Sequence, residues 1–242
     1  MAIEPFLAMT AAEFAGTRPL PPKIAWMACH FSPYGTGLSN LPRNLPEGSM
    51  VILNDRTPIC GHDPERIAGQ LLELDCDSLL LDFQRPEEPQ TAAVIHAILD
   101  TLPCPVGVSA CYAAGLDCPI FLPPLPPHVP PAEYLAPWKG REIWLEAALD
   151  TVQLTITPEG CHVAAANPPE SLPHRDSQLF CHYHIDVTPS KTRFTLHRSP
   201  EDMNALLSAA EQFGVTLSVG LFQELRFTPT SPPSITPSNK DA

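Results

Sequence analysis

The chain has 242 residues and a formal net charge of −13, because 27 acidic side chains outnumber 14 basic ones. This charge repels phosphate backbones and anionic lipids, so we expect neither nucleic acid nor a membrane as a partner. Hydrophobic residues make up 44% of the sequence, and the length suits one large domain that buries roughly 70% of the unfolded chain's surface.

The cysteines and the first residues of the chain bear on its cellular compartment. Eight cysteines are present, and no two form a Cys-x-x-Cys pair that would indicate a zinc or redox motif. Most lie in apolar runs, as buried thiols in a reducing compartment do. Residues 1–10 lack the basic start of a signal peptide, and no apolar run approaches 18 residues. We therefore expect a cytoplasmic protein without a membrane span.

The N-terminal half is predicted to alternate strands with helices or long loops. Residues 2–17 are expected to form a short helix. Apolar runs that end in polar residues predict strands at Ile24–His30, Met50–Asn54, Ser78–Phe83 and Pro105–Ala110, with an extended segment at Pro119–Leu122. Helices are predicted after the N-cap Asp63 and over Glu88–Leu102. On this assignment Ser78–Phe83 is the third strand of the chain.

The C-terminal half is predicted to contain hairpins before it returns to the strand and helix alternation. Strands are predicted at Ile143–Leu149, Val152–Thr157, Cys161–Ala165, Gln178–Val187, Thr192–His197 and Val215–Leu221. The Ser199-Pro200 pair indicates a helix start before the last strand. Residues 227–242 are rich in Pro, Ser and Thr, and this composition predicts a disordered tail.

Three strand–helix–strand units and roughly eight strands favour a (β/α)8 TIM-like barrel. We expect one α/β barrel domain over residues 1–226, with some helices replaced by loops and a late β-hairpin. An open, doubly wound α/β sheet is the alternative. The sequence has no Gly-x-Gly-x-x-Gly after its first predicted strand and no Gly-Lys-Ser/Thr loop, so we expect no nucleotide cofactor and no other cofactor.

Functional groups of a parallel barrel project from the carboxyl ends of its strands. Asp82 and Glu146 stand at two predicted ends and are candidate catalytic residues, since glycosidases use paired carboxylates whose separation fixes the mechanism. Amides, imidazoles and aromatic rings at the other ends suit the hydroxyls and C–H faces of sugars. The candidate substrate-binding residues are Gln84, Trp26, His30, Asn54, Tyr112, Trp144, Tyr183 and Phe222.

The stretch from Asp77 to Gln84 resembles the strand-end motif Asp-x-x-Asp-x-Asp-x-Glu of the family 18 glycoside hydrolases, the chitinase-like barrels. Asp77 and Asp82 stand at its first and third Asp, whereas Leu80 replaces the second Asp and Gln84 replaces the Glu. The resemblance implies that Asp82 orients the N-acetyl group of the substrate, which attacks the anomeric carbon. It also implies that Phe222 takes the place of an aromatic sugar platform.

Gln84 stands where the family has its proton donor. A glutamine can hydrogen-bond a glycosidic oxygen but cannot protonate it. The resemblance therefore predicts a carbohydrate or glycopeptide as the ligand. The protein would be either a glycoside hydrolase with an atypical acid or a catalytically inactive relative.

Two other functions remain open at this point. His182, His184 and Asp186 alternate along one predicted strand, so they share a face and could bind the metal of a metal-dependent hydrolase. The same alternation is typical of a solvent-exposed hairpin face. A non-enzymatic interaction protein that uses its proline-rich surface and its tail is the other alternative.

Overall fold

Eight parallel strands form a closed barrel in the computed structural model, which describes residue 3 and residues 5–85, 89–168 and 170–225. The barrel strands, in order around the barrel, are β1 (Phe6–Met9), β2 (Ile24–Phe31), β4 (Met50–Asn54), β5 (Ser78–Asp82), β6 (Val106–Ser109), β7 (Ile120–Leu122), β8 (Ile143–Ala147) and β14 (Val215–Leu221). Strand β1 pairs in parallel with both β14 and β2, and this closes the barrel. The predicted (β/α)8 barrel is confirmed, and the predicted disorder of 227–242 lies outside the described residues.

Six helices accompany the strands in the described part of the chain. They are α1 (Ala11–Gly16), α2 (Pro64–Leu72), α3 (Pro89–Thr101), α4 (Pro131–Leu135), α5 (Pro200–Ala210) and α6 (Phe222–Leu225), with 3-10 turns at Ala136–Trp138 and Glu211–Phe213. The connections after β2 and β6 contain no helix, which confirms that loops replace some of the barrel's helices. The first of them carries β3 (Leu38–Ser39), which pairs antiparallel with β2. No helix of the described residues is long and apolar enough to cross a membrane.

The prediction of a helix over residues 2–17 is wrong for the first half of this range. Residues Phe6–Met9 form β1, and the helix begins only after Thr10, whose hydroxyl and backbone form a capping box with Glu13. A four-residue apolar run is too short to show a period, and its pairing with two neighbouring strands decides its conformation. Strand β5 is therefore the fourth strand of the barrel, not the third.

A second sheet lies between β8 and α5 in the sequence. Its five antiparallel strands are β9 (Thr151–Thr157), β10 (Gly160–Ala165), β11 (His174–Asp176), β12 (Cys181–Val187) and β13 (Thr192–His197), in the order β10-β9-β13-β12-β11. The predicted late hairpins are present, and pairing of β9 with β13 joins them into this one sheet. The fully buried Arg198 ties the sheet to the barrel, because its guanidinium donates to the carbonyls of Leu125, Leu179 and Phe180.

The strands separate two apolar clusters. The larger cluster joins the outward-facing residues of the barrel to its helices. The smaller one fills the barrel interior with Ala8, Ala25, Met50, Ile52, Leu80, Phe121, Trp144 and Val219. Strand β6 contributes Gly107 at this level, because a Cβ there would lie 2.2 Å from the Trp144 ring. The interior is thus a packed core, above which the strand ends carry polar groups.

Candidate functional site at the barrel mouth

A pocket of about 90 Å³ lies where the barrel strands end. Its polar lining consists of Asn54, Asp82 and Glu146, from the ends of β4, β5 and β8. Most of its apolar lining comes from the interior cluster, including Leu80 and Phe121. Ligand pockets commonly exceed about 300 Å³, so this one suits a small group of a ligand whose remainder lies over the mouth.

Asp82 is half-buried in this pocket, and Gln84 donates a hydrogen bond from Nε2 to its Oδ1 at 3.0 Å. Burial raises the pKa of Asp82, and the nearby charge of Asp55 raises it further, while the Gln84 hydrogen bond lowers it in part. Gln84 is exposed at the mouth. Gln84 does not line the pocket, so the two motif residues form a hydrogen-bonded pair of which Asp82 alone faces the pocket.

The chain after Asp82 is held by the neighbouring strand end. The buried Asp55 accepts hydrogen bonds at Oδ2 from the backbone N–H of Gln84 at 3.0 Å and of Arg85 at 2.7 Å. Nε of Arg85 donates to the Asp55 carbonyl at 2.7 Å, and the Tyr112 hydroxyl donates to the Arg85 carbonyl at 2.8 Å. These bonds fix the backbone that carries Gln84, so Asp55 and Tyr112 support the site without lining the pocket.

Glu146 is the second carboxylate of the pocket and is also half-buried. Burial, followed by the charges of Asp82, Asp150 and Glu224, raises its pKa to about 7. At neutral pH this side chain therefore holds a proton in a large fraction of molecules, as a general acid must. No sequence pattern indicates that Asp150 acts on the pKa of Glu146, because Asp150 follows the predicted strand and resembles an ordinary turn residue.

Asn54 lines the pocket, and its side chain also hydrogen-bonds the backbone of β2. Its Nδ2 donates to the carbonyls of Met27 at 3.3 Å and Cys29 at 3.0 Å. Both carbonyls belong to the stretch of β2 where the pairing with β4 changes register. Asn54 therefore provides hydrogen bonds to backbone carbonyls at this break in the pairing. His30 lies at the end of the same strand, bonded through Nδ1 to the Ala28 carbonyl at 2.9 Å, and does not line the pocket.

The predicted aromatic contacts lie elsewhere. Trp26 packs in the outer cluster and donates from Nε1 to the Asn40 carbonyl, and Trp144 is 2% exposed inside the barrel. Among the other predicted aromatic residues, Tyr112 is buried and Phe222 is half-buried at the start of α6. Tyr183 lies in the second sheet, where its ring centroid is 5.2 Å from that of His174. Among the described residues that line the pocket, Phe121 is the only aromatic one. It lies in the short stretch Pro119–Leu122, which the sequence marked only as extended.

The histidines considered for a metal site form separate pairs. Nδ1 of His182 bonds to Oδ2 of Asp202 at 2.7 Å, and Nε2 of His184 bonds to Oδ1 of Asp186 at 3.1 Å. Asp202 also accepts from Nε of Arg175 at 3.0 Å. Within the described ranges, no three His, Cys, Asp or Glu side chains are grouped so that they could hold a metal ion. This geometry does not support the metal alternative, because His182 turns toward the start of α5.

Comparison with known proteins identifies the architecture. No protein-family model matches the chain, and no curated protein matches it in sequence. The spore cortex-lytic enzyme SleL of Bacillus cereus is similar in structure over 94% of this chain and 71% of that chain, with a TM-score of 0.55 and 9% identity. At this identity the match shows the fold. The chain is therefore a (β/α)8 barrel of the architecture found in SleL.

Two further structures gave lower scores. YdhD of Bacillus subtilis, a proposed sporulation-specific glycosylase, matches 80% of this chain and 90% of that chain, with a TM-score of 0.49 and 9% identity. The C-terminal domain of a proposed chitinase from Desulfitobacterium hafniense matches 75% of this chain and 74% of that chain, with a TM-score of 0.41 and 11% identity.

Proposed function

We propose that the barrel mouth binds a glycan that contains N-acetylated amino sugars and hydrolyses its glycosidic bonds with Glu146 as the acid. The observation that carries the proposal is the presence of two half-buried carboxylates, Asp82 and Glu146, in one pocket at the carboxyl ends of the strands. The resemblance of Asp77 to Gln84 to the chitinase-like motif and the fold shared with a spore cortex-lytic enzyme support the substrate class.

Glu146 is the group that can supply the proton. In the proposed step its carboxyl proton moves to the glycosidic oxygen while the bond from that oxygen to the anomeric carbon breaks. A pKa of about 7 keeps the acid form available near neutrality, whereas the Gln84 amide has no proton to give at any ordinary pH. When water later completes the hydrolysis, the Glu146 carboxylate accepts its proton.

Asp82 has the orienting role. Its carboxylate would hold the N–H of the substrate's acetamido group, so that the acetamido oxygen attacks the anomeric carbon as the leaving oxygen departs. The pocket of about 90 Å³ is of a size for such a small group, and its apolar lining suits the methyl end. Gln84 keeps Asp82 in place through its 3.0 Å hydrogen bond and presents its remaining amide donor to solvent.

A binding protein without turnover is the second candidate function, and the observation that favours it is Gln84 at the position of the motif's acid. Incubation of the purified chain with chitooligosaccharides, followed by calorimetry and product analysis, separates the two. Hydrolysis by the wild type that is lost in Glu146→Gln with binding retained supports the enzyme. Binding without any product supports the second candidate, and absence of binding contradicts both.

A further inference from the structure

Three cysteines share one position in the barrel. Cys76, Cys104 and Cys118 each lie two residues before a barrel strand, preceding β5, β6 and β7 respectively. In a parallel barrel these positions form the amino-terminal rim, at the opposite end from the pocket. All three are half-buried and in the thiol form.

Cys76 and Cys104 are neighbours at this rim. Leu79 of β5 is in register with Val106 of β6, and the Leu79 N–H donates to the Pro105 carbonyl at 3.0 Å. Beyond the strands this register sets Cys104 opposite Asp77, the chain neighbour of Cys76, and Cys76 itself lies in a turn, where its N–H donates to the Leu74 carbonyl at 3.1 Å. Both cysteine side chains pack on the outer apolar cluster, and each thiol affects the pKa of the other.

We propose that Cys76 and Cys104 are a disulfide-forming pair that links the starts of two adjacent barrel strands under oxidising conditions. Neighbouring strands lie about 4.8 Å apart and one residue rises about 3.3 Å, so an offset of one residue separates the Cα atoms by roughly 5.8 Å, within the roughly 4.4–6.8 Å that disulfides require. Both residues precede their strands, so the backbone can adjust without breaking the ladder. The link lies away from the pocket and does not depend on the proposed glycan chemistry.

Cys118 does not complete such a pair, although it occupies the equivalent position. Val108 of β6 is in register with Ile120 of β7, which sets Cys118 opposite Val106 and two residues from Cys104. Arg141 fixes this stretch by donating to the Cys118 carbonyl at 3.0 Å. Cys118 is therefore a matched control, with similar burial and rim position but no thiol partner of suitable geometry.

A low-molecular-weight disulfide such as oxidised glutathione is a sufficient oxidant. One cysteine thiolate attacks a glutathione sulfur, which forms a mixed disulfide and releases the first glutathione thiolate. The second cysteine then attacks the mixed disulfide and releases the second. Two protein thiols are oxidised, one glutathione disulfide is reduced, and the two thiol protons end on the two glutathione molecules.

The surroundings of the pair govern its rate of oxidation. Burial raises the pKa of Cys76 to about 12, and Cys104, Asp77 and Asp75 add to this effect. Burial also raises the pKa of Cys104, which Asp77 faces as well. Since the thiolate is the attacking species, oxidation is slow at pH 7 and accelerates steeply toward pH 9.

The full chain incubated with a glutathione redox buffer at pH 7 and pH 9, then digested without reduction, tests the proposal. We expect peptides linked through Cys76 and Cys104, faster formation at pH 9, and a Tm several degrees higher because the link closes the loop that carries β5 and α3. The link and the Tm gain should vanish in Cys76→Ser and Cys104→Ser and persist in Cys118→Ser.

Peptide mapping of the wild type alone can overturn the proposal, so it does not depend on variants that fold. Glutathione found only on the exposed Cys60, Cys111 and Cys161, with Cys76 and Cys104 still alkylatable after unfolding, contradicts it. A linked pair that contains Cys118 in place of either residue contradicts it as well.

Discussion

Burial raises the pKa of Glu146, and the negative charge of Asp82 raises it further, although the two carboxylates belong to strands β5 and β8, between which β6 and β7 lie. Closure of the barrel brings their side chains to one pocket. Two acids that share a partly buried site resist simultaneous ionisation, so one of them holds a proton near neutral pH. Glu146, with a pKa of about 7, is that group.

The stability of the protein should depend on pH through Glu146. Its pKa is about 7 in the folded protein against an ordinary 4.5, so the folded state binds more protons between these values and stability falls as pH rises through this window. Glu146→Gln removes the unfavourable charge. Allowing for solvent screening, we expect the variant to be about 1–2 kcal/mol more stable than wild type at pH 8.

Denaturant unfolding at pH 8 and pH 4 measures this effect. The gain should disappear at pH 4, where the wild-type carboxyl is already protonated. Glu47→Gln in the exposed turn before β4 is the control and should change stability at neither pH. Equal stability of wild type and Glu146→Gln at pH 8 would show that Glu146 is ionised there without cost.

The barrel interior depends on the absence of a side chain at residue 107. Gly107→Ala places a Cβ 2.2 Å from the Trp144 ring, which is 2% exposed and cannot withdraw without moving the core. We expect a loss of about 1–3 kcal/mol in the free energy of unfolding, typical of overpacking. Gly69→Ala is the control, since it lies within α2 with nothing within 4 Å of the new Cβ and should stabilise slightly. Chemical denaturation of both variants decides the point, and Gly107→Ala at wild-type stability would be inconsistent with a packed interior.

The buried Arg198 should be essential for attachment of the second sheet. Burial lowers the pKa of Arg198 to about 10, so it remains charged at pH 7 and its guanidinium serves three carbonyls. A lysine cannot reach all three, and we expect Arg198→Lys to cost about 2–4 kcal/mol. Limited proteolysis should then cut within residues 150–198 before the barrel. Arg66→Lys is the control, because it loses only one exposed hydrogen bond to Thr36 and should leave both readouts unchanged. If the two variants behave alike, Arg198 does not hold the second sheet to the barrel.

Gln84→Glu tests whether the motif position can still supply a proton. The new carboxyl would stand beside Asp82 at the mouth, where the family resemblance places the acid. We expect the double variant Gln84→Glu, Glu146→Gln to hydrolyse chitooligosaccharides measurably faster than Glu146→Gln alone. Gln84→Asn is the control, because it shortens the side chain without adding an acid. No gain over the single variant would mean that position 84 does not reach the glycosidic oxygen.

The sequence predicted the barrel because its buried strands are short apolar runs with polar ends. Met50–Asn54, Thr192–His197 and Val215–Leu221 have the predicted limits. Strand β1 is not predictable in this way, because four apolar residues before a capped helix have the pattern of a first helical turn. The union of the hairpins into one five-stranded sheet is not predictable either, because β9 pairs with β13 about 40 residues away and such pairing leaves no local pattern in the sequence.

The site was less predictable than the fold, because alternation along a strand gives two faces without saying which one is inside. Trp26 precedes a register change in β2 and turns outward, whereas Trp144 turns inward but below the pocket. Asp82 and Glu146 were paired in the sequence only because both follow apolar residues near strand ends. Their shared pocket and the pKa of Glu146 depend on barrel closure, which requires all eight strands.

The pH dependence of chitooligosaccharide hydrolysis tests the central claim most directly, measured as kcat/KM from pH 4 to 9 for wild type and Glu146→Gln. A required acid with a pKa of about 7 predicts that the wild-type rate declines above pH 7 and that the variant loses at least about 100-fold at the optimum. Wild-type kcat/KM in Glu146→Gln, or a wild-type rate that stays constant from pH 6 to 9, would contradict the assignment of Glu146 as the acid.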